Sequence, residues 1–197
     1  MPSAIPIITV VPIGAIDKDL VEQVAGRIRN VFGFETEITP LLPDVNFAFD
    51  PSREQYHSTA ILGRLAAASG RNTFKILAVT DVDLFIPLLT YVYGEAQLNG
   101  CACVVSTFRL TEGLSMVSSR EACINRVVKE SIHELGHTFS LRHCRDRECI
   151  MHYCRTIRDV DRKSDELCRY CRILLGDEVG RLEKRSQQHR QNLSDEP

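Results

Sequence analysis

The stretch HELGHTFSLRHC, residues 133–144, limits what this chain can fold into more than any other segment. His133 and His137 are four apart, so on a helix they share one face and can grip a single ion. Glu134 falls on the flank of that face, beside the place a metal-bound water would occupy. His143 can join the pair only if the helix stops soon after His137 and the chain doubles back. Three neutral imidazoles leave one tetrahedral position open to water, which distinguishes a catalytic zinc from a closed structural one. The bland alternative is a helix that carries histidines by accident. The extra histidine and the cysteines that follow argue against it.

A chain of 197 residues, 44% hydrophobic and 25% charged, suits one globular domain with a substantial core. The net charge of −2 gives no electrostatic case for nucleic acid or an anionic membrane surface. In RLEKRSQQHR the basic residues interleave with an acidic one, which weakens a nucleic-acid reading further. No apolar run approaches the length of a membrane span. The opening MPSAIPIITVVPIGAI lacks a basic start and is broken by Pro6 and Pro12, so it reads as a strand rather than a signal peptide. A cytoplasmic location is therefore expected. A reducing compartment discourages disulfides, and thiolate ligation of metal becomes the natural account of some of the eight cysteines.

Periodicity orders the rest. Ile5–Val11 reads as a first strand, and Asp17–Phe32 as a helix with Leu20, Val21, Val24, Ile28 and Val31 inward and Gly33 as its stop. Glu35–Thr39 reads as a short strand, Pro40–Pro51 as a loop, and Ser52–Ser69 as a helix ended by Gly70. Strands are expected at Phe74–Val79, around Tyr91–Tyr93, and at Cys101–Phe108. The motif helix follows, with Ser118 and Glu121 as a capping box and Ile124, Val128, Ile132, Leu135 and Phe139 as its apolar stripe. A final helix is expected from about Asp165 into the late 180s. This order argues for an α/β layer with a mixed sheet.

A second constellation is Cys144-x4-Cys149 with Cys168-x2-Cys171, whose short spacings read as a closed four-cysteine zinc site. Cys101, Cys103, Cys123 and Cys154 are left as unligated thiols. Two zinc ions per chain are expected, one catalytic and one structural. At the first, zinc lowers the pKa of its bound water to about 7, and Glu134 takes the proton and passes it to the leaving amine.

HExxH, a histidine six residues later and a methionine turn resemble the metzincin metalloproteases. With HC-x4-C-x-M and a later CxxC, the pattern is similar to the archaemetzincins, through His133, Glu134, His137, His143, Cys144, Cys149, Met151, Cys168 and Cys171. The resemblance implies an α/β (α+β) fold. Its upper subdomain, 1–139, has a mixed, mostly parallel sheet and two long helices; its lower subdomain, 140–190, is small and Cys-rich and ends in a helix. Residues 191–197 are expected to form a flexible tail. The resemblance also implies a zinc on three histidines, Glu134 as base, Met151 beneath the metal, and an outer strand that holds extended peptide. Tyr91, Val92, Tyr93 and Gly94, within Tyr91–Ala96, are the candidates for that strand.

Two positions depart from or add to the pattern. Ser140 stands where the family has glycine at the helix exit, and must either enter the left-handed region or turn differently. Tyr153, two residues past Met151, could support the oxyanion or simply pack, and His152 between them reads as an exposed or hydrogen-bonded histidine rather than a ligand. The expected function is a zinc-dependent peptidase acting on peptides or proteins. The alternative is a catalytically silent, zinc-stabilised binding module.

Overall fold

The computed structural model describes residues 6–70, 73–114 and 119–194. Five strands form the main sheet in the order β2-β1-β5-β8-β7: β1 Ile7–Ile13, β2 Glu35–Ile38, β5 Thr73–Thr80, β7 Gly94–Ala96 and β8 Ala102–Ser106. All pairings are parallel except that of β7 with β8, so an antiparallel strand closes one edge. A small sheet joins β3 Phe49–Asp50, β4 Gln55–His57 and β6 Leu84–Phe85.

Both faces of the main sheet are buried, as the near-continuous apolar runs of parallel strands require. Ile8, Val10, Leu77, Val79, Cys103 and Val105 face α1 (Lys18–Phe32) and α3 (Ser119–Thr138). The alternate residues Val11, Ile13, Ile76, Ala78 and Val104 face α2 (Ser58–Ala68) through Ile61, Leu62 and Leu65. Asp17 caps α1 by accepting from the Asp19 amide, and Gly33 ends it at φ 75°. The stripe Ile124, Val128, Ile132, Leu135 and Phe139 is buried, which pins α3 to the sheet. Ser118, the expected cap of α3, lies outside the described residues, as does Ile5. No described helix is long and apolar enough to cross a membrane.

Several boundaries differ from the sequence reading. The expected helix 52–69 begins only at Ser58, because Gln55–His57 is drawn into β4 by pairing with β6. The expected loop 40–51 contains β3. Of Tyr91–Tyr93, only Val92 makes a bridge, to Leu84, and the paired edge strand starts at Gly94. After α3, a short α4 (Ile157–Arg162) was not expected; Thr156 and Asp159 cap it reciprocally. The final helix, α5 (Arg169–Ser194), starts later than Asp165, since Ile150 N–H donates to Glu166 and Ser164 N–H donates to Glu148. It also runs through 191–194, where an irregular tail was expected.

Candidate active site

His133 and His137 lie on the last two turns of α3, which ends where the sequence requires. Ser140 adopts the left-handed conformation at φ 64°. Its amide donates to the His137 carbonyl, and the Leu141 amide donates to that of Gly136, at 3.0 and 3.1 Å. Those two bonds are a Schellman motif with serine in the position glycine usually holds. The chain therefore reverses despite the departure. Lys75, buried in β5, donates to the Thr138 carbonyl at 2.7 Å and neutralises the negative end of the helix.

The reversal returns His143 to the pair: the ligand atoms of His133, His137 and His143 all lie within 4.8 Å of one another. His133 Nδ1 approaches the Ile150 carbonyl at 2.9 Å and His137 Nδ1 approaches that of Leu141 at 2.7 Å. Both Nδ1 atoms must therefore carry the proton and donate it, which leaves both Nε2 atoms as bare acceptors. Those two atoms face each other at 3.1 Å. Two facing lone pairs repel unless a cation lies between them, and ligands on one tetrahedral zinc stand about 3.3 Å apart. A proton is a poor substitute: burial holds His133 well below the ordinary imidazole range, and burial lowers His137 and His143 as well, the last to about 4. The geometry fits a divalent metal.

Glu134 is buried beside this cluster, and its carboxyl is pushed well above the usual range by burial and then by the charge of Glu130. The Lys163 ammonium pulls it back toward the carboxylate, the form a base needs. Met151, wholly buried, lies under the helix against Gly136. Tyr153 is half-exposed, and its ring stacks obliquely on His143 at 4.9 Å. His152 is hydrogen-bonded, Nδ1 to the Cys144 carbonyl at 3.0 Å. Tyr91, Val92, Tyr93 and Gly94 line a cleft of ≈ 430 Å³ together with the three histidines, Glu134 and Tyr153. Tyr93 itself is buried in the core.

Cys144, Cys149, Cys168 and Cys171 gather into a second group with sulfurs within 4.8 Å of one another. The Cys144–Cys168 sulfur distance of 3.8 Å excludes a disulfide and matches the edge of a zinc–thiolate tetrahedron, about 3.8 Å. Backbone amides of Cys168 and Cys171 point at Cys149 and Cys168 sulfurs. Partial burial raises the Cys168 thiol, but these amide and thiol hydrogen bonds outweigh it and leave the thiol lowered, as a thiolate ligand needs. Cys101, Cys103, Cys123 and Cys154 belong to neither group.

Three features escaped the sequence reading. A β-carbon on Gly136 would stand 2.6 Å from the Met151 sulfur. A β-carbon on Gly94 would stand 2.6 Å from the Val104 carbonyl oxygen and 2.7 Å from Glu134 Cγ. Lys163, fully buried, brings its ammonium 2.7 Å from Glu130 and 3.5 Å from His133 Nδ1. The glycine inside HELGH was a visible signal, since an isolated helical glycine usually has a packing reason. The other two depend on contacts distant in sequence.

The chain matches the model of peptidase family M54 over residues 18–176. It is 36% identical to an archaemetzincin of Halobacterium salinarum over 168 residues, 83% of this chain and 96% of that protein. The crystal structure of archaemetzincin from Methanopyrus kandleri superposes with a TM-score of 0.78 at 32% identity, covering 91% of this chain and 98% of that one. Archaemetzincin from Archaeoglobus fulgidus, crystallised with malonate, gives 0.73 at 34% identity over 85% and 99%.

Proposed function

This chain belongs to peptidase family M54, the archaemetzincins, and from that premise we propose how it works as a zinc metallopeptidase acting on peptide or protein substrates. His133, His137 and His143 hold the catalytic zinc, and Cys144, Cys149, Cys168 and Cys171 hold a second, structural one. Residues 1–139 and 140–190 form upper and lower subdomains that meet at the cleft.

Zinc, when bound, supplies Lewis acidity toward water and the scissile carbonyl. Glu134 takes a proton from the attacking water and delivers it to the leaving amine nitrogen. Tyr153, whose ring lies tilted against His143, donates a hydrogen bond from its hydroxyl to the developing oxyanion, a role supported by its position in the cleft wall. The outer edge of β7 (Gly94–Ala96) is free of strand partners among the described residues, so extended substrate can pair with it. Tyr91, Val92 and Tyr93 lead into that edge as cleft wall.

The observation that carries this reading is the facing pair of Nε2 acceptors with a buried carboxylate beside them. A silent binding module would gain support had the chain failed to reverse at Ser140, and Ser140 adopts the left-handed turn. Zinc-loaded protein should cleave members of a random peptide library. Glu134→Gln should cut kcat by about 10²–10⁴ while zinc content stays the same. Equal turnover by both proteins would remove Glu134 from the mechanism.

A further inference from the structure

Beside the catalytic cleft, across Tyr153, lies a second cavity of ≈ 400 Å³, lined by Arg147, His152, Tyr153, Arg155, Asp159 and Arg162. Tyr153 and Arg155 line both cavities, so the two adjoin along that wall. The character changes across that boundary. The cleft at the histidines holds Glu95, Glu130 and Glu134, whereas the second cavity holds three guanidiniums.

The single acid there is already occupied. Asp159 accepts from the Arg155 and Thr156 amides and the Thr156 hydroxyl, at 3.2, 2.9 and 2.8 Å, as the cap of α4. Among the described residues, no ion pair includes Arg147, Arg155 or Arg162. Residues 142–162 carry six arginines against four acids, within a chain whose net charge is −2. Asp161, another of those acids, is bound bidentately by Arg126 at 2.7 and 2.8 Å. Three uncommitted guanidiniums in a concave wall beside a peptidase site form a receptor for an oxyanion, which arginine meets with two parallel N–H donors.

We propose that this cavity is an anion subsite of the catalytic cleft. It selects peptides that carry a carboxylate close to the scissile bond, either an Asp or Glu side chain or the peptide's own C-terminus. Arg155, shared by both cavities, makes the first contact, and Arg147 and Arg162 close around the group. The inference rests on the peptidase reading for its substrate class.

The test separates the two ideas by measuring binding without turnover. Fluorescein-labelled octapeptides, with one Glu walked along a neutral sequence or replaced by Gln, and with free or amidated C-termini, are titrated against zinc-loaded Glu134→Gln protein. At least one acidic peptide should bind about tenfold tighter than its neutral twin, with the margin shrinking as salt rises. Adding Arg155→Ala or Arg147→Ala should erase most of that margin, whereas Arg155→Lys should keep part of it. A margin seen only in the Glu series assigns the side chain, and one seen only with free termini assigns the C-terminus. Equal binding of all twins, or a margin that survives both alanine variants, would overturn the subsite. Cleavage by the wild-type enzyme is read separately, so a failed subsite and a failed peptidase reading give different results.

Discussion

Ser140 holds φ 64°, a region that glycine enters freely and serine enters at a cost of about 1 kcal/mol. Glycine, in turn, gives the unfolded chain more freedom, which cancels part of the gain. Ser140→Gly should therefore stabilise by only about 0.5 kcal/mol, seen as a rise of roughly 1–2 °C in Tm. A fall in Tm would mean that the serine contributes something beyond the turn. Gly136 tests the opposite case. Alanine is the better helix former by about 1 kcal/mol, yet its β-carbon would meet the Met151 sulfur at 2.6 Å in a fully packed core. Gly136→Ala should lower stability by about 1–2 kcal/mol and weaken zinc retention at the histidines; an unchanged Tm would show that Met151 can move aside. The histidine and cysteine groups were legible because ligand-type residues recur in short, characteristic spacings within each motif. The partners of Gly136, Gly94 and Lys163 were not, because no residue type or spacing marks contacts that only the tertiary fold makes.

Helices α1 and α3 could be read from the chain because an amphipathic stripe repeats within the element itself. The segment 52–57 could not, since its apolar Tyr56 fits a helical stripe equally well and only pairing with β6 makes it a strand. The edge strand escaped for a related reason. Tyr91–Tyr93 has the better strand composition, but the ladder to β8 forms at Gly94–Ala96. There the glycine is needed, because Val104 O and Glu134 Cγ occupy the space a β-carbon would take. Gly94→Ala should thus push β7 outward or displace Glu134, cutting kcat/KM at least tenfold. Gly63→Ala is the control: it sits in α2 with open space around it and should gain up to about 1 kcal/mol with activity intact. If both variants keep full activity, Glu134 does not depend on the small residue opposite it.

The two candidate metal-binding groups are joined through adjacent residues, His143 and Cys144. The Cys144 amide donates to the Met151 carbonyl, and His133 Nδ1 donates to that of Ile150. Lys163 meets Glu130, Lys129 donates to the Val160 carbonyl, and Arg126 grips Asp161, so α3 is clamped to the Cys-rich region along its length. One core cluster contains sheet residues such as Ile8 and Leu77 together with Cys149, Met151 and Leu175. These links make the effects of ligand loss unequal. His143 is exposed and lies outside α3, so on the proposed two-zinc reading His143→Ala should lose one zinc per chain and leave the fold and the ion at the cysteines in place. On the proposed four-cysteine zinc site, Cys168→Ser removes a thiolate ligand, and metal binding there would contribute directly to folding. Without that site, the anchors of Cys144 and Met151 loosen, and with them the return of His143 and the floor beneath His137. Cys168→Ser should therefore lose zinc from both groups and unfold in a single transition at lower temperature. Metal counting and calorimetry on the two variants decide the matter: a Cys168→Ser protein that keeps its histidine-bound zinc would show that the two centres are independent.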